Sequence, residues 1–448
     1  MRYKNPGGLL ALLLVLGLVL AACGGSGTET TESSETTTGE TTATTTADTE
    51  PAGEPAECAA DEFGCVVVAP GDPIKLGSLL VVTGPNSSLG LDSQYGVEMA
   101  LDYADGAFDD VNGQIQGHDV TLVAEDDGCS AEGGTAGADK LASDSQIVAV
   151  IGTSCSSAAL GVADTILGNK GITLISPSNT GPALTAEATR NPFYYRTAHN
   201  DKLQGAAVAE FAYNELGLTT AATVHDGSPY AEGLAGAFAE SFTALGGTIT
   251  NAEAVQTGDT DFSGVLTTIG AGAPEMLYFP IFVAEGALLA QQAKDALEAD
   301  VVLAGSDGLW SDDFYSAVGD DVYLSGPDVS SFAGDAALYA DIFLPRYSEK
   351  YGSEPLSAFH AHAWDATNIV LAALDAVAID VDGTLYIPRS ALRDAIGATS
   401  GYTGITGVLS CNSLGDCQPS ATIAVFQVAG GAMDTSAPVF SVVKELEG

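Results

Sequence analysis

Residues 147–180 read IVAVIGTSCSSAALGVADTILGNKGITLISPSNT. Within them, 147–152 is a wholly apolar run with the length of a buried strand, 156–167 has the length of a helix, and 172–176 is a second buried strand. Strand, helix and strand in succession form the repeating unit of a parallel sheet. The alternation continues in both directions. On the N-terminal side lie a strand at 74–81, a helix at 92–105 with Val97, Met99, Ala100 and Leu101 among its apolar positions, a strand at 120–124 and a helix at 131–143. A second series follows, with helices at 201–216, 230–245, 261–270 and 284–298 alternating with strands at 221–225, 248–255, 276–280 and 301–305. Two such series predict an α/β protein of two doubly wound parallel-sheet lobes. Helices predicted at 336–351 and 359–379 need one of these lobes to pack on.

Ligands of open parallel sheets sit beyond the carboxyl ends of the strands, beside helix N-termini. The residues just after each strand are therefore the candidates. In the first series these are Thr83-Gly84-Pro85, Thr153-Ser154-Cys155-Ser156-Ser157 and Ser176-Pro177-Ser178-Asn179-Thr180. In the second they are His225-Asp226-Gly227-Ser228-Pro229-Tyr230, Pro280-Ile281-Phe282 and Gly305-Ser306-Asp307-Gly308. The first lobe supplies hydroxyls; the second supplies aromatic rings and one carboxylate. Ser and Thr also serve simply as helix caps, and Asp-Gly as a surface turn.

The chain has 448 residues, 59 acidic against 14 basic, a net charge of −45 and a mean hydropathy of +0.20. That length allows two or three domains with real cores. Such a negative field repels nucleic acid and anionic lipid, so no nucleic-acid partner is expected. The acidity has two readings: a solvated coat spread over both lobes, or a field that draws cationic solutes such as basic amino acids or polyamines. The even spread of the charge favours the coat.

Arg2 and Lys4 precede a short apolar run at 9–20, too short for a comfortable membrane span and ending in small residues, as signal peptides do. Leu20-Ala21-Ala22-Cys23 resembles the lipobox of bacterial lipoproteins, which implies a signal peptide at 1–22 and a diacylglycerol on Cys23. An uncleaved membrane anchor is the alternative. Residues 24–57 are nearly all Thr, Glu, Ser, Gly, Ala and Pro, a composition that cannot offset its ordering entropy, so 23–57 is expected to be a lipidated cysteine and a disordered tether. Six other cysteines remain: Cys58, Cys65, Cys129, Cys155, Cys411 and Cys417. An even number in an oxidising compartment suggests three disulfides. Cys58–Cys65 and Cys411–Cys417 would close local loops, and Cys129–Cys155 would join two segments. Zinc is the rival reading, but no pair has Cys-x2-Cys spacing and no His lies near in sequence.

Five stretches, IGTSCSSAAL (151–160), GITLISPSNTGPALT (171–185), FYYRT (193–197), HDGSPYAEGLA (225–235) and AWDATNIVLAAL (363–374), occur in an order similar to that of the solute-binding lipoproteins of ABC importers of the branched-chain (Leu/Ile/Val) amino acid type. The resemblance covers about 74–430. It implies a type I periplasmic-binding fold, with 74–197 plus 330–404 as lobe 1 and 198–328 plus 405–445 as lobe 2. A three-stranded hinge would cross near 197–200, 326–332 and 403–408. It also implies pairing of Cys129 with Cys155. Ser156 matches the family's carboxylate-binding serine, Thr180 a second hydroxyl, and Ser178 a backbone carbonyl that meets the ligand's ammonium; Ser157 and Asn179 belong to the same loops. Asp307 matches an acidic residue that pairs with the ammonium, where Glu is usual. Tyr230 matches a ring flanking the ligand. Phe282 stands where Tyr is common, and Leu89 where an aromatic residue is common, so the ligand class stays open among amino acids, amides, urea and aromatic acids.

No Gly-x-Ser-x-Gly, Gly-x4-Gly-Lys-[Ser/Thr] or Gly-x-Gly-x-x-Gly motif suggests an enzyme. His360 and His362 lie two apart, on opposite sides of a helix, so neither metal nor cofactor is expected. His199 and His225 read as structural, and Trp310 as core or cleft rim. The sequence therefore points to a monomeric, non-enzymatic protein. It would be lipid-anchored to the outer face of the cell membrane or in the periplasm, capturing an amino acid or close relative for an ABC permease. A sensor of the same fold is the alternative, and a lipid-anchored hydrolase a more distant one.

Overall fold

The computed structural model describes residues 53–446 apart from Ala333. The expected signal peptide, Cys23 and most of the expected tether lie outside the described residues. Two sheets carry the fold. The first has strands in the order Gln114–Ile115, His118–Asp126, Ile74–Leu80, Ile147–Gly152, Thr173–Ser176 and Tyr194–Arg196, all parallel except the short outermost strand. The second runs Ala432–Met433, Ser420–Ala429, Val322–Pro327, Val302–Gly305, Met276–Tyr278, Thr220–His225 and Thr248–Ala254, with Phe440–Glu445 also paired to Ser420–Ala429. From Val322–Pro327 to Thr248–Ala254 it too is parallel. In each sheet the strand that begins the series lies inside, so the order reverses beside Ile74–Leu80 and again beside Thr220–His225. A crevice opens at such a reversal.

The alternation read from 147–176 holds closely: strand Ile147–Gly152, helix Ser156–Val162 running into a wider turn at Ala163–Leu167, and strand Thr173–Ser176. The helix expected at 92–105 is Ser87–Asp102, which starts earlier and ends earlier, with no side-chain cap at Asn86. Helix Pro229–Leu245 has a Ser228 cap that accepts from Ala231 N, Pro229 at its first position and the left-handed Gly246 at its end, the expected start and stop chemistry. Helix His360–Val377 packs on Ser87–Asp102 over the first sheet. Asp92 fixes its start from across the chain, its carboxylate accepting from Phe359 N at 2.9 Å and His360 N at 2.8 Å.

Two features depart from the sequence reading. Cys65–Val68 forms an antiparallel ladder with Thr384–Pro388, itself paired to Ile379–Val381, so residues expected to border the tether are built into the first body; Val66 and Val68 are buried in its core. Leu409 and Cys417 also pack in that core, and the second sheet resumes only at Ser420. The third change of sheet therefore falls between Cys417 and Ser420, later than the 403–408 expected. Three disulfides are present, Cys58–Cys65, Cys129–Cys155 and Cys411–Cys417. No helix among the described residues is long and apolar enough to cross a membrane.

The excursion from Leu409 to Cys417, closed by the Cys411–Cys417 disulfide, is tied to the first sheet by a buried ion pair. Arg196, wholly buried, donates from Nε to Asp416 at 2.6 Å, from one terminal nitrogen to the carbonyls of Asn179 and Gly181, and from the other to Thr185 Oγ1. Removing one member of a buried pair strands the other's charge, at a cost of about 3–5 kcal/mol, whereas replacing both by apolar groups costs far less. Arg196→Met is therefore expected to lose about that much in urea unfolding, and Arg196→Met/Asp416→Leu to recover much of it.

Candidate functional site

The loops after the first sheet's strands are pinned by buried polar groups. Asp127 accepts from Ser154 N at 2.6 Å and Cys129 N at 2.7 Å; its burial pushes its carboxyl up to about 7. Ser154 Oγ accepts from Val81 N, and the Cys129–Cys155 disulfide closes the same corner. Ser176 Oγ accepts from Ser178 N and Asn179 N and donates to Thr153 O. On this frame Ser156 accepts from Gly181 N at 3.1 Å, which leaves its hydroxyl proton free to donate. Thr180 is buried and its Oγ1 has no hydrogen-bond partner. Two candidates from the same loops face inward instead. Asn179 bonds Thr153 O with its amide and receives Thr153 Oγ1 and Tyr194 OH, and Ser157 donates to Cys129 O. Ser178 Oγ donates to Ser154 O.

The second sheet supplies the facing wall. Tyr230, in the first turn of helix Pro229–Leu245, places its hydroxyl 2.7 Å from Ser306 Oγ, donates to Asp307 Oδ1 at 3.1 Å and accepts from Gly308 N. Phe282 tilts against its ring at 5.1 Å between centroids. Gln204 Nε2 donates to Asp307 Oδ1 at 2.7 Å and to Ser325 Oγ at 2.9 Å, while its carbonyl oxygen meets His199 Nε2. The two walls touch: Asp201 N donates to Thr180 O at 3.0 Å, a Cβ on Gly233 would lie 2.8 Å from Pro182 Cδ, and Leu89 shares an apolar cluster with Tyr230 and Phe282.

Sequence reasoning missed Asp201. It lies in the first turn of helix Asp201–Glu210, where an acidic residue is ordinary, and nothing local marks it as buried. In the fold it is fully buried; the Thr180 hydroxyl lies beside its carboxylate, and no backbone N–H reaches either oxygen. Burial raises its carboxyl well above the usual range, and the Asp307 charge raises it further. Burial likewise lifts Asp307 to about 6, against the pull of the Gln204 and Tyr230 hydrogen bonds. The two neighbouring histidines are structural. His360 bridges Asp92 and Tyr339, His362 is buried between Phe332 and Phe359, and Trp310 packs edge-on against Phe426. No group of three metal-ligating side chains occurs among the described residues.

The model of the Periplasmic binding protein family matches residues 73–432. The chain is 31% identical over 246 residues to Leu/Ile/Val-binding protein homolog 3 of Brucella melitensis, a match covering 55% of this chain and 64% of that one. It is 30% identical over 340 residues to Leu/Ile/Val-binding protein BraC3 of Rhizobium johnstonii, covering 74% and 88%. Among solved structures, a leucine-binding protein from Thermotoga maritima superposes with a TM-score of 0.71 at 24% identity, covering 82% of this chain and 98% of that one. The expected type I periplasmic-binding fold is thereby shown.

The raised carboxyls make ligand-free stability depend on pH. Asp307 keeps its proton to about pH 6 when folded, but an unfolded Asp loses it near ~3.9. Between those values the folded form binds more protons, so its stability falls as pH rises through the window. Asp307→Asn keeps the oxygen that accepts from Gln204 and Tyr230 but carries no charge. The ligand-free variant is expected to be about 3 kcal/mol more stable than wild type at pH 8, with the gap closing near pH 4. Calorimetric melts at the two pH values measure it.

Proposed function

The chain belongs to the periplasmic binding protein family, and on that premise we propose that it is an extracytoplasmic solute-binding protein whose lobes close on an amino acid or close relative and deliver it to an ABC permease. One observation carries the reading: Asp201 and Asp307 are buried side by side, and the Asp201 carboxylate has the Thr180 hydroxyl beside it but no backbone N–H and no cation on its oxygens. A buried carboxylate without a partner is costly. An ammonium brings a positive charge and three N–H donors, which matches this set better than a neutral or anionic group would. The free proton of Ser156 then serves the solute's carboxylate, and the Ser178 carbonyl a further ammonium hydrogen. Tyr230, Phe282 and Leu89 supply apolar contact to the remainder.

Because Thr180 and Ser156 belong to one wall and Tyr230 and Asp307 to the other, a solute bound to both favours the closed arrangement. That differential contact is what drives hinge closure. The lipobox-like Cys23 would keep the protein at the membrane beside its permease, on a tether ending where the fold begins. A hydrolase reading finds no support in the site, since no histidine among the described residues hydrogen-bonds a serine hydroxyl.

Titration calorimetry of the full chain against a panel of α-amino acids, each paired with its amine and acid analogues, tests the proposal. An α-amino acid is expected to bind, and each analogue lacking one charged group to bind weakly. Asp307→Ala and Asp201→Ala are each expected to weaken binding by about 2–5 kcal/mol. Unchanged affinity in both variants would overturn the assignment of the pair.

A further inference from the structure

We infer that the binding cleft continues beyond the Asp201–Asp307 pair, past Trp310, into a second chamber shaped for the far cationic end of an elongated ligand, which makes the preferred solute a dibasic one. The inference rests on the proposed role of the pair as ammonium anchor. The chamber is a cavity of about 680 Å³ with walls from both bodies of the fold, within the usual range of small-molecule sites. Trp310 joins it to the anchor. A Cβ built on Gly326 would lie 2.9 Å from the Trp310 ring and 3.4 Å from Asp307 Cβ, so the indole and the stem of Asp307 pack on the same glycine, and Trp310 also lines the chamber.

The lining chemistry has one sign. Asp312, Asp313, Glu354 and Asp434 stand around it, and no Lys or Arg does. Another cavity, about 950 Å³, sets Lys202 and Lys444 among the carboxylates of Glu187, Glu240, Asp416 and Glu445, so a lining without any cation is not simply what this acidic chain builds everywhere. Trp310, Tyr315 and Tyr339 line the same space, and aromatic rings suit a nitrogen cation. Ser357 is 8% exposed, lines the chamber, and its Oγ has no hydrogen-bond partner, leaving an acceptor for an N–H of the ligand. The titratable groups on every wall are those four carboxylates, the two tyrosines and His360, whose ring nitrogens are taken by Asp92 and Tyr339. A branched aliphatic side chain would use none of this. A second ammonium or guanidinium would use all of it.

Norleucine and lysine share a chain length and differ at the terminus by the second charge, so they isolate the chamber from the anchor; spermidine has the cations without a carboxylate. In titration calorimetry of the full chain, lysine is expected to bind at least ten-fold more tightly than norleucine, with the ratio shrinking as salt screens the exposed rim. The variant Asp312→Asn/Asp313→Asn/Glu354→Gln/Asp434→Asn should bring the ratio below three-fold while leaving norleucine within two-fold of wild type. Asp434→Asn alone should lower the ratio part-way if the fourfold variant folds poorly. Norleucine binding as well as lysine, or a preference that survives neutralisation, overturns the chamber and leaves the anchor standing. Spermidine binding that is lost in the neutralised variant supports the chamber and moves the solute class to polyamines. Failure of all three probes to bind overturns both assignments.

Discussion

A guanidinium shut away from water must spend its donors inside the protein, and Arg196 does so on four different targets. It ends the last strand of the first sheet, holds the carbonyls on either side of Thr180, reaches Thr185 and pairs with Asp416 more than two hundred residues later. The backbone repeats the connection, with Arg196 N donating to Gly415 O and Cys417 N to Arg196 O. The loop that presents Thr180 is therefore set by a charge pair buried beneath it. Its position is fixed before any solute arrives, which reduces the ordering that binding must impose.

Buried carboxylates do the same work elsewhere. Asp92 gathers the turn that begins His360–Val377, Asp127 the Ser154 corner, and Asp365 the backbone of Ile405 and Thr406. Each is met by backbone N–H groups, the usual way a fold tolerates an interior charge. Asp201 differs from them in having no such donors. In a chain with so few basic residues, a carboxylate left without a partner cannot easily borrow one from the protein. The contrast sets Asp201 apart from the aspartates that tie loops.

The periodic parts of this architecture were legible in the sequence. Apolar runs such as 147–152 and the capped helix from Pro229 follow from local chemistry, and Ser156, Thr180, Tyr230 and Asp307 all follow strands, as ligand positions in open sheets do. Long-range pairings were not legible. Nothing at Cys65–Val68 announces Thr384–Pro388 as its partner, and nothing at Asp416 announces Arg196. Asp201 was hidden for a related reason: an acidic residue in a helix's first turn looks the same whether it faces water or a closed cleft. Asn179 and Ser157 show the converse, polar residues in the right loops whose hydrogen bonds turn back into the frame.

The ladder between Cys65–Val68 and Thr384–Pro388 also has a mechanical side. Its four residue pairs run antiparallel, the Cys58–Cys65 bridge staples the strand at its near end, and Asp61 takes hydrogen bonds from Ser390 N and Oγ. A force applied to the strand from its N-terminal side would therefore load several bonds of the first body at once, in shear, instead of peeling them one at a time.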